Sequence, residues 1–142
     1  MALSPLKPAS ARAVKVTRVT RPSKTYSFDF NTGELGLSTV DGIDALRQFI
    51  AKAIYTARFR FLIYTSQYGC EIDDLIGQDV STALLQAEIP RVLKEALIYD
   101  DRILDVRNFV IRRGTGTEAD ALYVSFTVDS VTNGTFTQEV VI

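Results

Sequence analysis

The chain has 142 residues, of which 46% are hydrophobic and 23% charged, the composition of one globular domain with enough apolar mass for a real core. No stretch approaches the run of uninterrupted apolar residues that a membrane span requires, and Met1 to Lys7 lacks the apolar segment of a secretory signal, which points to cytoplasm-like conditions. A single cysteine, Cys70, excludes an intramolecular disulfide and a Cys-rich metal site and reads as a small buried hydrophobe, while the absence of histidine removes the commonest general base and metal ligand.

The net charge of -1 hides an asymmetry. Residues 1–24 carry Lys7, Arg12, Lys15, Arg18, Arg21 and Lys24 with no acidic residue, leaving 10 basic and 17 acidic residues, a charge of -7, for residues 25–142. With Pro5, Pro8 and Pro22 and no amphipathic pattern, residues 1–24 read as an extended basic arm, and residues 25–142 as one α+β domain. The arm either orders against an acidic partner surface or remains a solvated tail. Nucleic acid is the weaker partner, because the arm offers no aromatic residue for base stacking.

In chain order, Thr25 to Phe30 alternates as a half-buried strand and Asn31-Thr32-Gly33 turns it, with Leu35 and Leu37 on a short return strand. Asp41 is placed to cap a helix, with Asp44 in its first turn. Ile43, Leu46, Ile50, Ala53, Ile54 and Ala57 then follow at helical spacing, a core stripe. Arg58 to Tyr64 reads as a short strand whose first part can instead extend that helix. After a turn at Tyr68-Gly69, Glu71 to Ile76 makes one or two helical turns ending near Gly77.

From Asp79 or Ser81 to Tyr99, Leu85, Ile89, Val92, Ala96 and Tyr99 mark the second main helix, in which Pro90 either kinks the helix or opens a separate one. Three strands finish the chain: Ile103 to Arg112, the alternating segment from Leu122 to Asp129, and Thr135 to Ile142. Asn133-Gly134 suits a two-residue type I′ turn between the last two. The expected fold is α+β, two main helices on a mixed, mainly antiparallel sheet with a C-terminal β-hairpin. The Arg113-Gly114-Thr115-Gly116-Thr117 loop opens no helix and is no nucleotide site.

Glu71 with Asp73 or Asp74 is the carboxylate pair available for glycoside hydrolysis, although carboxylates at a helix start more often serve as caps. The same three lack calcium-loop spacing. Arg102, between a helix end and a strand, either pairs locally with Asp100, Asp101 or Asp105 or presents its guanidinium fork to a partner. The terminal Val140-Val141-Ile142 leaves no charged tail to blunt a sheet edge, so this strand is either fully paired in a monomer or open to another chain's strand.

The order of the Gln67-Tyr68-Gly69 turn, a short helix, a long helix and Asp100-Asp101-Arg102-Ile103 opening a strand resembles the sheath-initiator (baseplate wedge) family of contractile phage tails and R-type bacteriocins. That family carries Glu-Pro-Arg-aliphatic at the last position; here Asp101 replaces the proline. The resemblance runs from Tyr26 to Ile142 and is nearest to the branch of defective prophages and tailocins of Gram-positive bacteria. It implies a structural baseplate protein, not an enzyme, without cofactor, metal or small-molecule substrate, assembled in the bacterial cytoplasm in six copies around the tail axis. Its implied partners are sheath protein, wedge proteins and tube-proximal proteins. They would be reached through the arm, through Asp100, Asp101 and Arg102, and through strand augmentation at Val140, Val141 and Ile142. The alternatives are a small cytoplasmic adaptor binding one partner and a carboxylate glycoside hydrolase.

Overall fold

A computed structural model describes residues 22–76 and 80–142. Two strands, β1 (Thr25–Asp29) and β2 (Glu34–Val40), precede helix α1 (Gly42–Tyr55); α2 (Ile72–Ile76) and α3 (Thr82–Leu97) follow. Strands β3 (Ile103–Arg113), β4 (Leu122–Ser130) and β5 (Gly134–Val141) close the chain, with a 3-10 turn at Gly116–Glu118. β1 and β2 form one antiparallel sheet, and β3, β4 and β5 form a second in that order, so the α+β class holds. The arm residues Lys7, Arg12, Lys15, Arg18 and Arg21, and the expected helix limits Gly77 and Asp79, lie outside the described residues.

β4 is the organising strand. Its alternation puts Leu122, Val124, Phe126 and Val128 on one face, all buried, while Tyr123, Ser125, Thr127 and Asp129 occupy the other, half-exposed face. The apolar stripes of α1 and α3 close over the buried face: Leu46, Ile50, Ala53 and Ile54 from one, Leu85, Ile89, Leu93 and Leu97 from the other. Each such large side chain contributes about 1.5–3 kcal/mol by leaving water, so this layer holds the sheet to the helices.

The helix signals act as expected. Asp41 caps α1 by accepting from the Gly42 amide at 2.7 Å and from the Ser23 hydroxyl. These bonds hold its carboxyl below the ordinary carboxylate range, the Ser23 hydroxyl contributing most. Ser81 caps α3 through the Leu84 amide at 3.3 Å. Pro90 lies inside α3 and opens no separate helix: one helix runs unbroken from Thr82 to Leu97. One backbone bond is forgone there, and the buried run of Ile89, Val92 and Leu93 on either side keeps the helix against the sheet.

Two local expectations fail. Arg58 to Tyr64 is not a strand: it runs through turns and a bend and pairs with neither sheet. The Tyr68-Gly69 turn instead brings Cys70 back to the end of α1. The Cys70 amide donates to the Thr56 carbonyl at 2.9 Å and the Arg58 amide to the Cys70 carbonyl at 3.0 Å, a single parallel bridge. Phe59 takes a left-handed φ of 64°, and Leu62 and Ile63 stand 103% and 85% exposed.

The last hairpin also does not turn on a two-residue Asn133-Gly134 loop. Ser130 pairs with Gly134 across three residues, Val131 to Asn133, and only Gly134 is left-handed, at φ 69°. Two forces favour the longer loop: the Ser130 hydroxyl accepts from the Asn133 amide at 2.8 Å, and the Val131 amide donates to the Arg102 carbonyl at 2.9 Å.

Candidate functional site

Arg102 sits where α3, β3, α1 and the β4–β5 turn meet. Its guanidinium forms a two-pronged pair with Asp100, Nε to Oδ1 at 2.9 Å and the terminal nitrogen to Oδ2 at 3.0 Å. It also lies 4.6 Å above the centre of the Phe49 ring. The Asp100 carboxylate additionally accepts the Arg102 amide at 3.0 Å, so the fork is fixed by bonds within the chain. Asp101 is exposed beside this pair. Asp100 and Arg102 line one end of a groove of about 840 Å³ between the β1–β2 hairpin, α1 and the 63–65 segment, whose walls include Tyr26, Phe28, Phe49 and Tyr68. Burial pushes the Tyr68 hydroxyl up to about 12, so it remains a neutral phenol.

The terminal strand divides its residues between two tasks. Val140 is buried against the core, Val141 is half-exposed on the opposite face, and Ile142 packs partly buried at the core margin. Leu122 and Ile142 exchange both backbone hydrogen bonds, at 2.8 and 2.9 Å. In an antiparallel pair such exchanges alternate, so Val140, Gln138 and Phe136 bond to β4 while the backbones of Thr137, Glu139 and Val141 face away from it. β5 pairs with β4 alone and is an edge of its sheet among the described residues.

Three side chains reach that edge. Arg47 donates to the Thr137 carbonyl at 2.8 Å and to the Gln138 side-chain oxygen at 3.1 Å. The Gln138 amide nitrogen donates to the Glu139 carbonyl at 3.3 Å, and the Tyr55 hydroxyl to the Val141 carbonyl at 3.1 Å. On the other side of α1, the Gln48 side chain imitates a strand, accepting from the Phe28 amide at 2.9 Å and donating to the Tyr26 carbonyl at 2.8 Å. One helix thus dresses an edge of each sheet. Arg47, Gln48 and Tyr55 escape a sequence reading, because a polar residue on a helix face looks solvated until the strand beside it is known.

Arg58 is the other residue that sequence reasoning missed. With its side chain only 13% exposed, it donates to the Ser66 carbonyl at 2.8 Å and pairs with Glu95 at 3.0 Å and Glu71 at 3.5 Å, fastening the 58–70 loop to α3. Glu71 is therefore engaged in a structural ion pair, and Asp73 and Asp74 lie exposed in the first turn of α2. Cys70 is buried at 2% exposure, and burial raises its thiol to about 11, leaving it protonated.

Comparison with known proteins shows the family of the chain. The sequence profile described as contractile injection system sheath initiator matches residues 24–133, from β1 to the β4–β5 turn. The phage-like element PBSX protein XkdS of Bacillus subtilis (strain 168) is 38% identical over 115 residues, covering 80% of this chain and 79% of XkdS. A match over most of both sheets and both main helices places this chain in the contractile injection system sheath initiator family, the structural tail proteins from which a contractile sheath begins.

Proposed function

We propose that the protein sits in the baseplate of a contractile tail or tailocin and starts the first sheath ring by accepting a strand from sheath protein on the outer edge of β5. The observation that carries this is the regularity of that edge: eight consecutive register pairs with β4 and no bulge, with the backbones of Thr137, Glu139 and Val141 turned outward. An added strand finds a straight ladder there.

Two further contacts complete the proposal. The Asp100–Arg102 pair, with Asp101 beside it and the aromatic groove in front, docks a wedge protein; the fork is already ordered, so docking costs little side-chain entropy. The basic arm, through Lys7, Arg12, Lys15, Arg18 and Arg21, engages an acidic surface of a wedge or tube-proximal protein. Assembly takes place in the bacterial cytoplasm, with six copies around the tail axis, and the work is structural, not enzymatic.

The test is co-expression with the cognate sheath protein, read by size-exclusion chromatography and electron microscopy. The variant Glu139→Pro removes an outward-facing amide together with the exposed Glu139–Arg112 ion pair, and keeps every amide that bonds to β4. Sheath rings seeded by the native chain and not by Glu139→Pro support strand acceptance. A one-to-one complex that never enters a ring transfers the assignment to an adaptor.

A further inference from the structure

The three outward carbonyls of β5 from Thr137 to Val141 are all occupied by side-chain donors, and two of these donors, Arg47 and Tyr55, come from α1. The third depends on the first, since Arg47 holds the Gln138 side-chain oxygen and so aims its amide nitrogen at the Glu139 carbonyl. The spacing is matched: eight residues of helix from Arg47 to Tyr55 rise about 12 Å, and four residues of strand from Thr137 to Val141 rise about 13 Å. By contrast, among the described residues no side chain accepts from the outward amides of Thr137, Glu139 or Val141.

We propose that Arg47 and Tyr55 are a releasable latch on the β5 edge, closing it in the free protein and exchanging for the backbone donors of an arriving sheath strand. The proposal rests on the strand-acceptor reading above. The half-occupied edge sets the order of events. An incoming strand first offers its carbonyls to the uncovered amides of Thr137, Glu139 and Val141, and its own amides then displace the guanidinium and the phenol.

Neither displacement disturbs the core. Tyr55 is 48% exposed, and the Arg47 guanidinium stacks over Phe136 at 4.7 Å, a ring it can slide across. A closed edge also keeps free copies from pairing with one another before a sheath strand is present.

The test measures capture of the cognate sheath protein by the full-length chain in four forms: native, Tyr55→Phe, Arg47→Met and Glu139→Pro. Tyr55→Phe removes one half-exposed hydroxyl and keeps the ring, so it stays informative even if Arg47→Met lowers stability. The expected result is roughly two- to tenfold tighter capture for each latch variant, the worth of one net hydrogen bond, and loss of capture for Glu139→Pro. If Glu139→Pro abolishes capture while both latch variants bind sheath no better than the native chain, the latch is overturned and strand acceptance stands. If Glu139→Pro captures sheath as the native chain does, strand acceptance at β5 fails and the latch fails with it.

Discussion

The two outer strands of the three-stranded sheet, β3 and β5, flank the same central strand but close their free edges by opposite means. β3 is eleven residues long and breaks register with β4 twice, between Ile103 and Asp105 and between Arg107 and Val110, with Asn108 held at a left-handed φ of 55°. Charged side chains at Asp105, Arg107, Arg112 and Arg113 line it, and Lys94 of α3 grips Asp105 at 2.6 Å. Bulges and charges are permanent, because no incoming strand can straighten a backbone that the fold has bent. β5 keeps one register throughout and is covered only by side chains, whose release needs rotamer changes and no change of backbone. Under the proposed strand acceptance the sheet would grow at the β5 edge alone, and a fixed stop on β3 with a removable one on β5 would suit that task.

The comparison can be broken most severely at the strand both edges share. Phe126 is 1% exposed and stacks on Phe109 at a centroid distance of 5.6 Å, so Phe126→Ala should cost about 3–5 kcal/mol in urea unfolding and remove both edges together. Gly69→Ala strains a region remote from both. At φ 103° its added Cβ would stand 2.8 Å from the Thr56 carbonyl oxygen, a cost of about 1–3 kcal/mol, with sheath capture per folded molecule unchanged.

Asn108→Val tests the fixed stop alone. A β-branched side chain in the left-handed region costs about 1–2 kcal/mol, and Asn108→Gly should relieve strain at the same bulge; urea midpoints check both, and neither alters sheath capture. The smallest effect is electrostatic. The Lys94 ammonium holds the Asp105 carboxyl below its ordinary value of 3.8, so the folded state is favoured above that pH and loses this contribution as pH falls through the lower folded value. A carboxyl titration followed by NMR should show Asp105 below 3.8 in the native chain and closer to it in Lys94→Met.

How far the sequence foretold this follows the range of the forces involved. Asp41 as a cap, the α1 stripe and the alternation of β4 were legible, since each depends on neighbours within a few residues. The Asp100–Arg102 pair was among the local pairings expected for Arg102, but the Phe49 ring beneath it comes from a distant helix. Arg58 to Tyr64 misled because aromatic content mimics a strand where Gly69 instead folds the loop back onto Thr56. The hairpin loop was misjudged because its length depends on a bond from Val131 to Arg102 that no local motif encodes. For β5 the sequence left a fully paired strand and an open edge as alternatives, and its covering by Arg47 and Tyr55 was not legible, because only packing sets α1 alongside β5.

The most direct measurement is amide hydrogen exchange at Thr137, Glu139 and Val141, in the free protein and after addition of the sheath protein. Their amides face away from β4, so they should exchange quickly in the free protein, and an added strand would take them as donors. Strong protection of all three in the complex is the expected result. A complex that forms while these three amides exchange as fast as in the free protein would contradict sheath initiation through the β5 edge.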